Sequence, residues 1–383
     1  MPPKDKDAIE ALAALVQTSS ALLDQLQAVL SETHKAPDSA TSSSPSPSPQ
    51  PDPNFNALSL AHASASLIRA HGTKISLLII TEPFAPSAVS AVVRELVAGP
   101  VPGLVSAAEA CVAKQYTGTV RRELAWRARR VLSGLGQLLH KIPNDGKLVA
   151  QDERDAFAKG ERGSLPATGL LWSACDSVTD LSNMGVAGFF IHKVDQWRDI
   201  LNDVMDEMRE WGDEEADSDS DSDPVLDGHV DNPSDQPGSE SLSAQAMLDS
   251  LVNSHQTIPS SDPDRIRPRL ESSLKRLRLV TLLYRALAKR RLKRLPAFPP
   301  ANAASDVPSR LDEMAKLLAE LPDSFGDLAC AFYELQPSEI DKTTERCFRD
   351  AFAASELFVN DWDNKRDSFS EWTETFQAEI QKI

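Results

Sequence analysis

The chain has 383 residues, 41% of them hydrophobic, with 57 Asp and Glu against 40 Lys and Arg and a formal charge of −17. That is length for about two domains with apolar cores, and the acidity argues against whole-surface affinity for nucleic acid or an anionic membrane. No uninterrupted apolar run reaches the ~18 residues of a membrane span, and Met-Pro-Pro-Lys-Asp-Lys-Asp at the start lacks the pattern of a secretory signal. The four cysteines, Cys111, Cys175, Cys330 and Cys347, have no paired spacing and read as reduced thiols of an intracellular protein.

In chain order, Ile9, Leu12, Val16, Ser19, Leu23, Leu26 and Leu30 alternate steps of three and four, which predicts an amphipathic helix from about 5 to 31. Residues 36–53 are a Pro/Ser tether in which each proline removes a backbone donor. A second helix is expected after Asn54 as N-cap, ending before Pro83. Pro86 suits the first turn of a third helix. Gly99-Pro100-Val101-Pro102-Gly103 then reads as a turn. A fourth helix is predicted from about Leu104 to Ile142, and a fifth from after Thr168 to Trp211 with a kink near Gly185 and Gly188.

Residues 212–240 are dense in Asp and Glu, lack Lys and Arg, and read as a disordered linker. Beyond them, Leu242 to Val252 suggests a short helix, and Ser261-Asp262-Pro263 and Asp306-Val307-Pro308 read as helix starts. A short segment around Phe325, Leu328 and Phe332 follows, and a last helix runs from about Ser338 almost to the end. No alternating β-branched run lies between turn signals. The expected fold is all-α, two helical bundles joined by the acidic linker. The parts are an N-terminal helix (1–35), the tether (36–53), a bundle over 54–211 that takes in helix 5–31, the linker (212–240) and a second bundle (241–383).

Motifs for chemistry are missing. The glycine clusters at 99–103 and 134–136 have no partner lysine for a phosphate loop. His62 and His71 are nine residues apart on one helix, roughly 13 Å along its axis, and cannot share a metal. No cysteine has the sequence context of a nucleophile. The reading is a non-enzyme without cofactor, metal or small-molecule substrate.

Charge clusters carry paired readings. Arg121, Arg122, Arg127, Arg129 and Arg130 form either a solvated face or a basic patch for an acidic partner segment. Residues 265–294 hold twelve Lys or Arg against Glu271 alone, densest at Lys289, Arg290, Arg291, Lys293 and Arg294. That run is either dipole-complementing ballast at a helix end or a nuclear-import patch; nucleic-acid binding ranks below, since no aromatic residues interleave it. Ser218 and Ser220 each have Asp three residues on and are candidate phosphosites. Trp172, Trp197, Trp362 and Trp372 fall on apolar stripes and are expected in the core, whereas Trp126 and Trp211 fit less well.

The segment Thr168-Gly169-Leu170-Leu171-Trp172-Ser173-Ala174-Cys175-Asp176 resembles the signature of the cyclin-D-binding protein family, also called GCIP or HHM. The likeness spans roughly residues 55–215; residues 241–383 are similar mainly in helical layout. It implies an intracellular, non-enzymatic helical bundle related to vinculin- and catenin-type bundles. It also implies an Id-like binder of D-type cyclins, an adaptor protein and helix-loop-helix regulators that restrains cell-cycle progression and transcription, in cytoplasm and nucleus. Spacing itself puts Trp172 and Cys175 on one apolar face, hence buried, so motif conformity with Asp176 speaks of membership rather than of a binding surface.

The resulting expectation is sequestration of partner helices, with Ile9, Leu12, Val16 and Leu23 of a detachable first helix, and Arg121 and Arg122, as candidate contacts. The competing reading of that helix is that it completes a five-helix bundle. The alternative function is a vinculin-like scaffold or cytoskeletal adaptor.

Overall fold

The computed structural model describes residues 3–35, 56–143, 164–214, 257–302 and 305–382. The Pro/Ser tether at 36–53, Asn54, the acidic stretch from residue 215 on, Ser218, Ser220 and the short helix expected at 242–252 lie outside the described residues. Among the described residues every regular element is helical, and the chain is all-α.

The elements are α1 (Pro3–Lys35), α2 (Ala57–Ile80), α3 (Pro86–Ala98), α4 (Pro100–Ala110), α5 (Ala113–Tyr116), α6 (Gly118–Leu139), α7 (Ser164–Asp213), α8 (Ile266–Arg290), α9 (Val307–Tyr333), α10 (Pro337–Glu356) and α11 (Ser368–Ile380). They divide into two compact units, Met1–Phe190 with Leu295–Glu313, and Ile191–Arg294 with Met314–Ile383. The first division falls inside α7, upstream of the boundary expected at 212. Gly185, at φ 62° and ψ −174°, interrupts α7 five residues before it, in backbone space that L side chains avoid.

In the N-terminal unit α1 packs along α6, α3 and α4, and α2 along α3, α4 and α6. The cap of α2 is Asn56 rather than Asn54: its side chain accepts from Ser59 N at 3.1 Å, while Ala57 N donates to the Tyr116 hydroxyl at 3.0 Å. The turn expected at 99–103 is only a kink at Gly99, because Pro100 starts the next helix, where a missing N–H costs nothing. Together Pro86–Ala110 is apolar enough on average to cross a membrane. Its Val89, Val92, Val93, Leu96, Val101 and Leu104 are nevertheless core residues, and Gly99 breaks it.

The single fourth helix expected over 104–142 is three pieces. The chain leaves helical geometry at Cys111 and Val112, and Thr117 takes φ 81°, a region rare for a β-branched residue. Two caps hold α6 in place after this break. The Thr117 hydroxyl accepts from Val120 N at 3.1 Å, and the Asp312 carboxylate accepts from Gly118 N at 2.6 Å, Thr119 N at 2.9 Å and the Thr119 hydroxyl at 2.6 Å. A carboxylate at a helix N-terminus also meets the positive end of the dipole.

In the C-terminal unit Asp262 caps α8 from upstream, accepting from Ile266 N at 2.6 Å and Arg267 N at 3.0 Å. The segment around Phe325 is not separate: α9 runs through Pro322 to Tyr333. The last helix is broken instead of continuous, and Phe358 and Trp362 lie on the connection between α10 and α11.

Arg291 accounts for that break. Its side chain is 1% exposed. Its Nε donates to Phe358 O at 3.0 Å, and Nη2 to Val359 O at 3.1 Å and Asp367 Oδ1 at 2.9 Å. Its Nη1 donates to Asp367 Oδ2 at 2.7 Å. Asp367 in turn accepts from Phe369 N and Ser370 N, capping α11. Trp362 Nε1 donates to Arg291 O at 2.9 Å.

The Arg291 guanidinium, aided by the cap N–H groups, holds the Asp367 carboxyl well below the usual carboxylate range. A carboxyl depressed in the folded state stabilises fully above its unfolded value of about 3.9. That contribution is lost as pH falls through the folded value. Asp367→Asn leaves a buried cation without its counter-charge. It should cost about 3 kcal/mol, read as a melting temperature lower by roughly 6–12 °C in circular dichroism at pH 7, and the loss should narrow as pH falls below 4.

Candidate partner-binding site

The family-like motif sits in the first half of α7, which runs antiparallel to α2. Thr168 donates to Ser76 at 2.9 Å, Trp172 Nε1 to the Thr73 hydroxyl at 2.9 Å, and Ser182 to Leu58 O at 2.7 Å. Across the same seam Arg69 reaches Asp176 at 3.0 Å and lies over the Trp172 ring at 5.1 Å. Trp172 is therefore half-buried, not core as expected: its indole N–H needs a partner, and the α2 edge supplies it. Cys175 and Leu171 point inward and are fully buried. Gly134 of α6 makes the seam possible from beneath, since a Cβ there would stand 3.2 Å from the Leu171 backbone. The glycines that failed as a phosphate loop thus include one used for close helix packing.

Large apolar side chains remain at one end of this seam. Leu77 is 57% exposed, Ile80 47% and Leu165 48%. With Ser76 opposite Thr168, the antiparallel register puts Leu77 and Ile80 at the same end as Leu165. Exposed aliphatic groups gathered at one end of a seam make a candidate interaction surface. Periodicity could not reveal them, because Ile80 and Leu165 have the same spacing as core residues.

The other predicted contacts are distributed differently. Ile9, Leu12 and Leu23 are buried in the N-terminal unit and Val16 is half-buried, so α1 lies within the bundle with its stripe turned inward. Arg121 and Arg122 are half-buried; Arg122 bonds to Thr119, and its carbonyl meets His34 Nδ1 at 3.1 Å. Arg127 pairs with Glu123 at 2.7 Å. The accessible cations of α6 are Arg129 and Arg130, the latter 4.9 Å from the centre of the exposed Trp126 ring.

Of the basic run, Lys289, Arg290, Lys293 and Arg294 are exposed, but Arg291 is removed from any import patch by its burial. Trp211, which fitted its stripe poorly, is a buried residue stacked edge-on to Tyr333 at 5.3 Å, while Trp197, Trp362 and Trp372 are half-buried.

Burial pushes the Cys111, Cys175 and Cys347 thiols up to about 12, so none offers a thiolate at neutral pH. Cys330 is exposed. Among the described residues no group of three His, Cys, Asp or Glu is placed to hold a metal ion.

Residues 61–214 match the model of a protein family described as Grap2 and cyclin-D-interacting, N-terminal. The match covers 154 of the 383 residues and is a likeness to that family. The matched stretch contains the motif, the Arg69–Trp172 contact and the Leu77–Leu165 end of the seam; α8 to α11 lie beyond it. An uncharacterized protein of Schizosaccharomyces pombe is 26% identical over 140 residues, 36% of this chain and 39% of that protein. The chain thus matches about two fifths of the length of that relative.

Two measurements follow from this placement. Leu12→Ala and Leu23→Ala should each destabilise the N-terminal unit by about 2–5 kcal/mol in thermal or urea unfolding; silent substitutions would mean α1 is detached in solution. Under native conditions a thiol reagent should titrate Cys330 rapidly, with Cys111, Cys175 and Cys347 reacting only after denaturant is added.

Proposed function

We propose that this protein is a non-enzymatic regulatory binding protein that sequesters partner proteins on the helical surface of its family domain. A D-type cyclin is the first partner to test and helix-loop-helix regulators the second. The observation that carries the reading is the exposed Leu77, Ile80 and Leu165 group, which lies inside residues 61–214. The family's description as cyclin-D-interacting supports the choice of partner. Sequestration through α1 would first require withdrawing Leu12 and Leu23 from a packed core, whereas the seam is already accessible. Restraint of cell-cycle progression and transcription, with residence in cytoplasm and nucleus, goes with this reading. Nuclear import through 289–294 would have to use Lys289, Arg290, Lys293 and Arg294 without Arg291.

The test is direct binding of a purified D-type cyclin to the full chain by calorimetry or interferometry. Leu77→Asp combined with Leu165→Asp should weaken binding at least tenfold, since buried apolar anchors commonly account for ~2 kcal/mol each, with the helical circular dichroism unchanged. Equal binding by this variant would remove the seam as the site. Failure of the wild-type chain to bind either a D-type cyclin or a helix-loop-helix regulator would overturn the sequestration reading.

A further inference from the structure

A second surface lies in the C-terminal unit and is independent of the cyclin reading. On α8, Leu282, Arg285, Ala286 and Lys289 follow at i, i+3, i+4 and i+7, one helical face. With Arg290, and with Phe369 and Trp372 of α11, they line a cleft of about 410 Å³. A neighbouring cleft of about 410 Å³ shares Leu282 and Arg285 and adds Arg198, Asp199, Asn202 and Thr281. The two clefts adjoin at Leu282 and Arg285.

The groove cations differ from four others of this unit. Arg267 donates to Gly212 O, Arg269 is held by both oxygens of Asp341, Arg276 donates to Ile380 O over the Phe348 ring, and Arg291 is bonded to Asp367. Those four hold the fold. Arg285, Lys289 and Arg290 are exposed and have no ion pair among the described residues, in a chain of net charge −17. Asp199, in the neighbouring cleft, is already engaged by Arg198 at 2.7 Å. Between the free cations Leu282 stands 42% exposed.

The apolar wall decides between kinds of anion. Trp372 is stacked between Phe369 and Phe376, one turn before and one turn after it, at 5.4 and 5.7 Å with interplanar angles of 18° and 16°. Offset stacking on both neighbours covers part of its ring faces, which disfavours stacking of a nucleotide base. A ring so placed beside an exposed leucine suits aliphatic side chains.

The geometry points to a docking groove for an acidic amphipathic helix of a partner protein. Carboxylates at helical spacing would pair with Arg285, Lys289 and Arg290, and its apolar side would pack on Leu282 and Trp372.

The probe is a fluorescein-labelled peptide of roughly five helical turns with Glu and Leu repeating at i, i+4, titrated into the full-length protein by anisotropy. Saturable binding is expected, weakening several-fold from low to physiological ionic strength. Arg285→Glu with Lys289→Glu, both exposed, should reduce it at least tenfold without altering the circular dichroism. Absent saturation, or unchanged binding by that variant, overturns the proposal. Equal affinity for polyglutamate or for a single-stranded oligonucleotide overturns it in favour of a generic anion surface. Binding that emerges only on removal of residues 215–256 overturns it in favour of the chain's own acidic stretch.

Discussion

A single buried guanidinium organises the C-terminal unit. An ionised group removed from water costs several kcal/mol unless its hydrogen bonds are replaced, and Arg291 replaces four of them with Phe358 O, Val359 O and both oxygens of Asp367. Satisfying those bonds fixes three chain segments at once: the end of α8, the connection that follows α10, and the start of α11. Asp367 does double service, as counter-charge and as helix cap. The Phe369 ring, 4.5 Å from the guanidinium, covers what remains. From this fixed point Arg290 and Lys289 are directed outward while Arg291 is directed inward, so one run of like charge becomes both a structural lock and a surface.

The N-terminal unit uses the same device with opposite sign. Thr117 interrupts what would otherwise be one long helix, and a carboxylate from residue 312 satisfies the N–H groups that the interruption exposes. In both units a helix terminus depends on a side chain distant in sequence. Each break therefore survives only in the assembled unit, where the partner group is already in place.

The two candidate surfaces differ in chemistry because they are built differently. The N-terminal unit leaves aliphatic groups at the end of a seam whose middle is occupied by Arg69, Trp172, Asp176 and Thr73. The C-terminal unit leaves cations beside an aromatic stack. One surface favours association by apolar burial, which salt hardly affects, and the other by charge, which salt weakens.

Much of the architecture was legible in the chain itself. Steps of three and four along α1, α3 and α10 report helices because burying an apolar stripe requires that period, and proline at Pro86 reports a start because its missing N–H is harmless there. The motif around Trp172 signalled the family likeness that residues 61–214 carry. The tertiary structure decided what local pattern cannot encode. Pro100 continues helix where a turn was expected, Thr117 breaks helix where none was expected, and Phe358 and Trp362 leave the helical stripe they seemed to extend. For the last two the deciding group is remote: Asp312 for the first residues of α6, and Arg291 for the connection before α11. Exposure of Leu77, Ile80 and Leu165 is likewise settled only by which neighbours the fold supplies. Periodicity belongs to one helix, but burial and charge pairing belong to the space between helices, and that space exists only once the chain has folded.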